Sequence, residues 1–470
     1  MNLFEVFYFH EFRLYLLKIT SMINKSLLKT LGPGILFAST CIGVSHLVQS
    51  TRAGAIYGFD LVWVILLANL FKYPFFEFAS RYANATGTSI IDGYKKLGKG
   101  VLWLYLIITI ATMFFVCAVV TVVTGGFMDN LFAITPKMMN LGVPSPYLFS
   151  SLLILLVCVG ILFAGKYKLL DSMIKIIGAV LLVSTILAFV FALLNGAKGD
   201  VTFRIINFED TLPVAFIIPL MGWMPTALDL SSWNSLWTVA RIKQTGYHPT
   251  LKETMFDFNF GYLASAILAL FFVTLGAYLM YGTGESLPKS PGLFAASVVD
   301  MYTSALGGWS YWIIAPAAFS IMFGTAIAVF DGYSRSVARI IDLLKPVKNE
   351  VNSSMDQAHG DSILKDLHKD SENSKLFYNG TLIVLASVAF GILLYTDVLN
   401  PETKSKGFKS LVDFTTALSF IVAPVIAILN FILVQRKYVG TDFEPPKWKK
   451  GLSIGGIIFL MAFSIFYFVH

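Results

Sequence analysis

Residues 101–126, VLWLYLIITIATMFFVCAVVTVVTGG, run for 26 positions without one charged side chain. A helix of this kind has no polar face to turn toward water, so its surroundings must be apolar on every side. A lipid bilayer supplies them. About 20 apolar residues in helical form cross the hydrocarbon core with every backbone group bonded inside the segment. Comparable stretches recur at 32–51, 58–80, 101–125, 148–164, 173–195, 211–238, 256–281, 309–331, 377–396, 411–434 and 452–469. The sequence therefore predicts an all-α polytopic membrane protein with eleven transmembrane helices. A chain that is 56% hydrophobic and 13% charged, with mean hydropathy +0.72, is outside the range of soluble globular domains.

The basic residues orient the spans. With the N-terminus in the cytoplasm, the inner segments carry 25 Lys and Arg and the outer loops eight, namely Arg52, Lys137, Lys198, Arg204, Lys289, Lys404, Lys406 and Lys409. The positive-inside rule then places the N-terminus inside and the C-terminus outside, in a plasma (cell inner) membrane. The net charge of +7 follows from basic loops facing anionic lipid and calls for no nucleic acid. Residues 1–30 mix aromatics with Arg13, Lys18, Lys25 and Lys29 and read as an interfacial amphipathic segment, with Met22 an alternative start. Cys41, Cys117 and Cys158 fall in apolar spans and read as buried small hydrophobes. The polar 341–376 stretch, with His359 and His368, reads as a mobile cytoplasmic loop rather than a domain or metal site.

Two spans carry interruptions. The first has Gly43-Val44-Ser45 near its middle and the sixth has Gly222-Trp223-Met224-Pro225. Non-helical backbone at membrane depth is tolerated where it lines a cavity or packs in protein, and Pro225 removes a backbone donor. Spans five apart run in opposite senses. Paired breaks at that offset point to an inverted repeat, with 31–195 (helices 1–5) and 211–434 (helices 6–10) as the repeats and 452–469 appended as helix 11.

Residues 31–100 also resemble a known family. LGPGILFAS, TRAGAIYGFDLVWVILLANL and RYANATG are similar to the first two helices and following loop of the Nramp divalent-metal transporters. The resemblance implies a LeuT-like 5+5 inverted repeat with helices 1 and 6 broken, and proton-coupled transport of a divalent transition metal. The chain departs from that pattern at the site itself. The family's Asp-Pro-Gly-Asn motif falls on Gly43-Val44-Ser45-His46, and its Met-Pro-His on Met224-Pro225-Thr226; its second histidine becomes Ser231. Span 3 carries none of the family's acidic or histidine groups.

The residues left to bind substrate are Gly43, Ser45, His46, Met224, Thr226 and Asp229, of which His46, Met224 and Asp229 are the candidate metal ligands. Asp229 has a second reading, as the acidic member of a Thr226-x-x-Asp229 capping box. His46 either faces the site or bonds a neighbouring carbonyl. Lys72, midway along span 2, requires a carboxylate or anion, and Asp331 and Asp229 are candidates by depth. Lys72, Trp223 and Asp331 are the coupling or gating candidates, although Trp223 could equally be core. Glu77 and Arg81 read as a structural i,i+4 pair, and Trp63, Trp103, Trp237, Trp309 and Trp448 as interfacial anchors.

No Walker motif or ATPase-sized domain is present, and no zinc-protease motif, so the leading reading is a gradient-driven transporter and not an enzyme. It needs no cofactor. Its partners are the transported ion or solute, a co-transported proton and the lipid bilayer. The expected substrate is a divalent metal ion in a remodelled site; the alternative is bicarbonate, another small anion or a small polar organic molecule.

Overall fold

The computed structural model describes residues 30–143, 145–164, 167–201, 211–284, 288, 290–345, 372–396 and 407–469. The expectations for residues 1–29 and for His359 and His368 fall outside the described residues. The described chain is helical. It begins with α1 (Pro33–Cys41), a π-helical stretch (Ile42–Ser50) and α2 (Thr51–Tyr57). Next come α3 (Val62–Thr86), α4 (Ile90–Leu97), α5 (Lys99–Phe132), α6 (Ile134–Asn140), α7 (Pro146–Phe163) and α8 (Tyr167–Asn195). The second half holds α9 (Thr211–Gly222), a 3-10 turn (Leu228–Leu230), α10 (Ser231–Thr245), α11 (Leu251–Leu279), α12 (Pro291–Leu306), α13 (Tyr311–Leu344), α14 (Glu372–Leu394), α15 (Gly407–Leu433), α16 (Arg436–Val439) and α17 (Lys447–Val469).

Eight of the described helices are long and apolar enough to cross a membrane, and this is an integral membrane protein. The other three segments of the sequence-based count coincide with α1–α2, α9–α10 and α8. Helices α5 and α13, each of 34 residues, outrun the apolar stretches that announced them because the helix continues into polar sequence. Local signals set many ends. Gly87 and Gly246, at φ 66 and 62, close α3 and α10. Thr250 and Glu253 open α11 by exchanging bonds, Thr250 N to Glu253 Oε2 at 2.8 Å and Glu253 N to Thr250 Oγ1 at 3.3 Å. Short helix α12 was not anticipated, since its 16 residues are too few to span.

Packing sorts the helices into two groups. In the first, α11 packs along both α1 and α2 and against α3, which also packs on α10. In the second, α5 packs on α7, α13 and α14, with α13 and α14 also in contact. Helix α15 runs beside α9, and α17 lies against α3 and α15. The first group is held unusually close. A methyl on Gly261 would sit 2.0 Å from the Gly34 carbonyl oxygen, and one on Gly54 would sit 2.0 Å from that of Val273. Small residues at these places let backbones touch, which is how helices associate where lipid removes the hydrophobic drive.

One expected interfacial anchor is corrected. Trp237 is only 5% exposed and packs edge-on against Trp233, because the far half of the second interrupted pair is surrounded by protein. Trp103, Trp309 and Trp448 are exposed as expected of anchors. The three cysteines are buried and unbridged.

Candidate substrate site

Backbone leaves the helical region at Gly43, with φ −62 and ψ −126. The slot where the resemblance would place a carboxylate is filled. A Cβ at Gly43 would lie 2.6 Å from Thr325 Oγ1, and that hydroxyl donates to the Ser39 carbonyl at 3.0 Å. Two residues on, Ser45 Oγ contacts the Cys41 carbonyl and lies 2.9 Å from His46 Nδ1. The other ring nitrogen, Nε2, is 2.9 Å from the Ser265 carbonyl oxygen and 3.1 Å from Ser265 Oγ. A carbonyl can only accept, so that bond assigns a proton to Nε2, while the single Ser45 hydroxyl proton is shared between the Cys41 carbonyl and Nδ1 as acceptors. Both nitrogens of the fully buried His46 ring therefore have protein partners, and the ring ties the first interruption to α11.

The second interruption spans 223–227, between α9 and the Leu228–Leu230 turn, and its Met224-Pro225 peptide is cis. Lys72 reaches it from α3. Its Nζ donates to the carbonyls of Met221 at 2.6 Å, Gly222 at 2.9 Å and Thr226 at 3.3 Å, with the Phe420 ring 5.9 Å away. These are the acceptors a broken helix leaves open. Lys72 is also within electrostatic reach of Asp229. Trp223 donates from Nε1 to Ser419 Oγ at 3.0 Å and is nearly buried, and Met224 is completely so.

Asp229 is turned toward α5. Its Oδ2 accepts from Thr112 Oγ1 at 2.8 Å, and its Oδ1 has no hydrogen-bond partner. The Tyr333 hydroxyl lies 3.5 Å from the same Thr112 oxygen. The Thr226–Asp229 capping box is absent: Ala227 holds the cap position with no side-chain bond, since a 3-10 turn starts there one residue later than the pattern implied. Asp331 is not the partner of Lys72. Its carboxylate is taken by Arg335 Nε at 2.7 Å and by the Tyr378 hydroxyl at 2.8 Å, which matches its place one helical turn before Arg335. Among the described residues no three His, Cys, Asp or Glu side chains gather as a metal cluster.

Polar contacts hold both ends of the first interrupted span. At one end Arg52, which the sequence reading put in a loop, is 5% exposed within α2. It bonds Asp413 of α15 at 2.8 and 3.2 Å and Gln49 at 2.8 Å, and lies 4.8 Å from the centroid of the Phe216 ring. At the other end Asp257 of α11 accepts from the Gly32 and Gly34 amides at 3.0 and 2.7 Å, capping α1 from another helix. Nearby, Glu77 joins Arg81 at 2.5 Å and Lys449 of α17 at 3.0 Å. Replacing Arg52 with alanine removes a partly buried ion pair of about 1–2 kcal/mol, and the end it closes should open correspondingly more often. A cysteine at Ser419, beside Trp223, is expected to react with a membrane-impermeant maleimide about tenfold faster in R52A than in its parent. Equal rates would show that the pair does not hold this end shut.

Ser265, Thr112, Thr325, Asp257 and the Arg52–Asp413 pair were not found from sequence. Four are hydroxyl or carboxylate groups on otherwise apolar helices, and nothing local distinguishes them from back-bonded or capping side chains.

No protein-family profile matches the chain. Its backbone is similar to the manganese transporter of Eremococcus coleocola, solved with an aromatic bis-isothiourea compound, at TM-score 0.60 and 13% identity, covering 94% of this chain and 86% of that one. It is similar also to MhsT in complex with L-phenylalanine, at TM-score 0.62 and 13% identity, covering 93% and 97%. The fold is thus the all-helical LeuT type. A relative in sequence is an uncharacterized protein of Pasteurella multocida, 33% identical over an alignment 470 positions long that covers 98% of this chain and 96% of that protein. This chain belongs to the same family as that Pasteurella protein.

Proposed function

We propose that the protein is a secondary transporter that carries a small polar organic solute, neutral or zwitterionic, by alternating access around the centre between its two helix interruptions. The observation that carries this is their convergence: the Ile42–Ser50 stretch packs against α9, and Lys72 bonds the break that follows α9, in a buried polar centre. Irregular backbone at this depth serves a site. The order of elements supports two repeats over 31–195 and 211–434. An interrupted pair is followed by helices of 25, 34, 18 and 29 residues in the first half and of 29, 34, 23 and 27 in the second. The N-terminus lies in the cytoplasm of a plasma membrane, and the driving force is an ion gradient, with a proton the candidate co-ion.

The choice of solute rests on which donors are free. His46 has both nitrogens engaged, the carbonyls at 221, 222 and 226 hold an ammonium, and Thr325 occupies the space beside Gly43. A divalent ion is left with Met224, one oxygen of Asp229 and the neutral Thr226 and Ser45 hydroxyls, a set with a single charged donor. An anion fares no better, because all three N–H bonds of Lys72 are spent. The open Asp229 oxygen, with the Thr226 and Ser45 hydroxyls, suits a molecule that offers its own donors. Asp229 and Met224 do favour a second reading, manganese or a similar divalent metal, and the Eremococcus neighbour is a manganese transporter.

Proteoliposomes of the purified protein decide between them. Saturable, gradient-driven uptake from a radiolabelled amino-acid mixture, with no manganese or cadmium flux, is expected. Metal uptake that is saturable and lost in Met224→Ala would replace this reading with the metal one, and bicarbonate uptake would restore the anion.

A further inference from the structure

We propose that the carbonyls of Met221, Gly222 and Thr226 form a binding site for a small monovalent cation, and that the Lys72 ammonium is its permanent occupant. Nothing in this depends on the transporter reading; it rests on the geometry of the interruption. Three carbonyl oxygens at 2.6, 2.9 and 3.3 Å converge on one Nζ, two from the end of α9 and one from the strand of backbone leading into the next turn. An ammonium has three N–H bonds and spends all of them here. Lys72 is completely buried, and its four-carbon stem brings the charge in from α3 while the Phe420 ring sits 5.9 Å from it.

The physical reason is one of supply. Breaking a helix at membrane depth frees carbonyls that water cannot reach, and each costs free energy until something positive or protic satisfies it. A dissolved ion could do this only while bound. A tethered ammonium does it at all times, and Asp229, within electrostatic reach, offsets its charge. One consequence is that the native protein has no use for sodium or potassium at this position.

Removing the lysine side chain should therefore uncover the site. Lys72→Ala and Lys72→Ser proteins would be purified and their thermal unfolding followed in choline chloride, then at equal ionic strength in sodium, potassium, ammonium and propylammonium chloride. In choline both variants are expected to unfold about 5–10 °C below the native protein, as befits loss of one partner from a buried charged network. At least one small cation should return half or more of that loss, while the native midpoint is the same in every salt. Should neither variant fold, Lys72→Gln, with two N–H donors in place of three, takes the same series. Variants as stable as the native protein in choline, or equally unstable in all salts, would overturn the proposal. Because the readout is stability, absence of solute uptake would sink the transporter reading and leave this result intact.

Discussion

Exchange of Gly261 for leucine is expected to leave no folded protein. The Cβ alone would lie 2.0 Å from the Gly34 carbonyl oxygen, where non-bonded atoms do not go, and the clash is with backbone rather than a movable side chain. Relief requires α11 to part from α1. That separation breaks more than one contact, since a Cβ on Gly34 would itself meet the Asp257 carbonyl at 1.9 Å and Asp257 caps α1 through the Gly32 and Gly34 amides. Moving α11 also pulls Ser265 from His46. Overpacking of a well-filled interior costs about 1–3 kcal/mol for added methylenes, and here a capping carboxylate and a buried histidine lose partners as well. The loss should exceed a membrane protein's reserve of stability. The check is the monodisperse peak of a fluorescent fusion on size exclusion after extraction: Gly261→Leu should abolish it and Gly261→Ala reduce it severalfold. A normal peak from the leucine variant would mean that the two helices are not in backbone contact.

Much of the architecture could be read from the sequence because lipid imposes a simple code. A charge-free run such as 101–126 has one physical solution, and Gly43 and the 222–225 stretch stand out against it as places where that solution is given up. What periodicity could not supply was which buried polar group meets which. Lys72 illustrates the gap. Its cost at that depth was evident, and a carboxylate was the natural partner to look for, yet its direct partners are three carbonyls that exist only because a helix 149 to 154 positions away is broken. Asp331 and Asp229 were both candidates by depth, but depth along a span says nothing about azimuth, and for Asp331 an arginine one turn on had the better claim.

The helices of the first group teach the same point from the other side. Gly34, Gly54, Gly261 and Gly276 look alike in sequence to any glycine that transmembrane helices tolerate, and only the assembled structure shows them meeting a neighbouring backbone. Arg52 was counted with the outer loops, since a lone arginine after SHLVQST marks the end of an apolar run. Its burial depends on Asp413, 361 residues later, and no local pattern joins the two.

Neutralising Asp229 is expected to abolish transport without unfolding the protein. In Asp229→Asn the side-chain carbonyl can still accept from Thr112, so the bond at 2.8 Å that holds the turn against α5 survives. The buried Oδ1, which has no partner, becomes an amide that can only donate. A solute that brings an ammonium or hydroxyl to that oxygen loses a charge-assisted hydrogen bond of about 1.5–3 kcal/mol and meets a donor instead. Uptake of the labelled amino-acid mixture should fall about 100-fold, while the unfolding midpoint drops by only about 2–4 °C, reflecting the charge no longer set against Lys72. Thr112→Val gives the opposite pattern. It leaves both carboxylate oxygens without a donor from α5 and is expected to cost more stability than Asp229→Asn and less transport. Were Asp229→Asn to transport normally, the carboxylate would be part of the turn's support alone, and the solute's contacts would have to be sought at Ser45, Thr226 and the open backbone of the two interruptions.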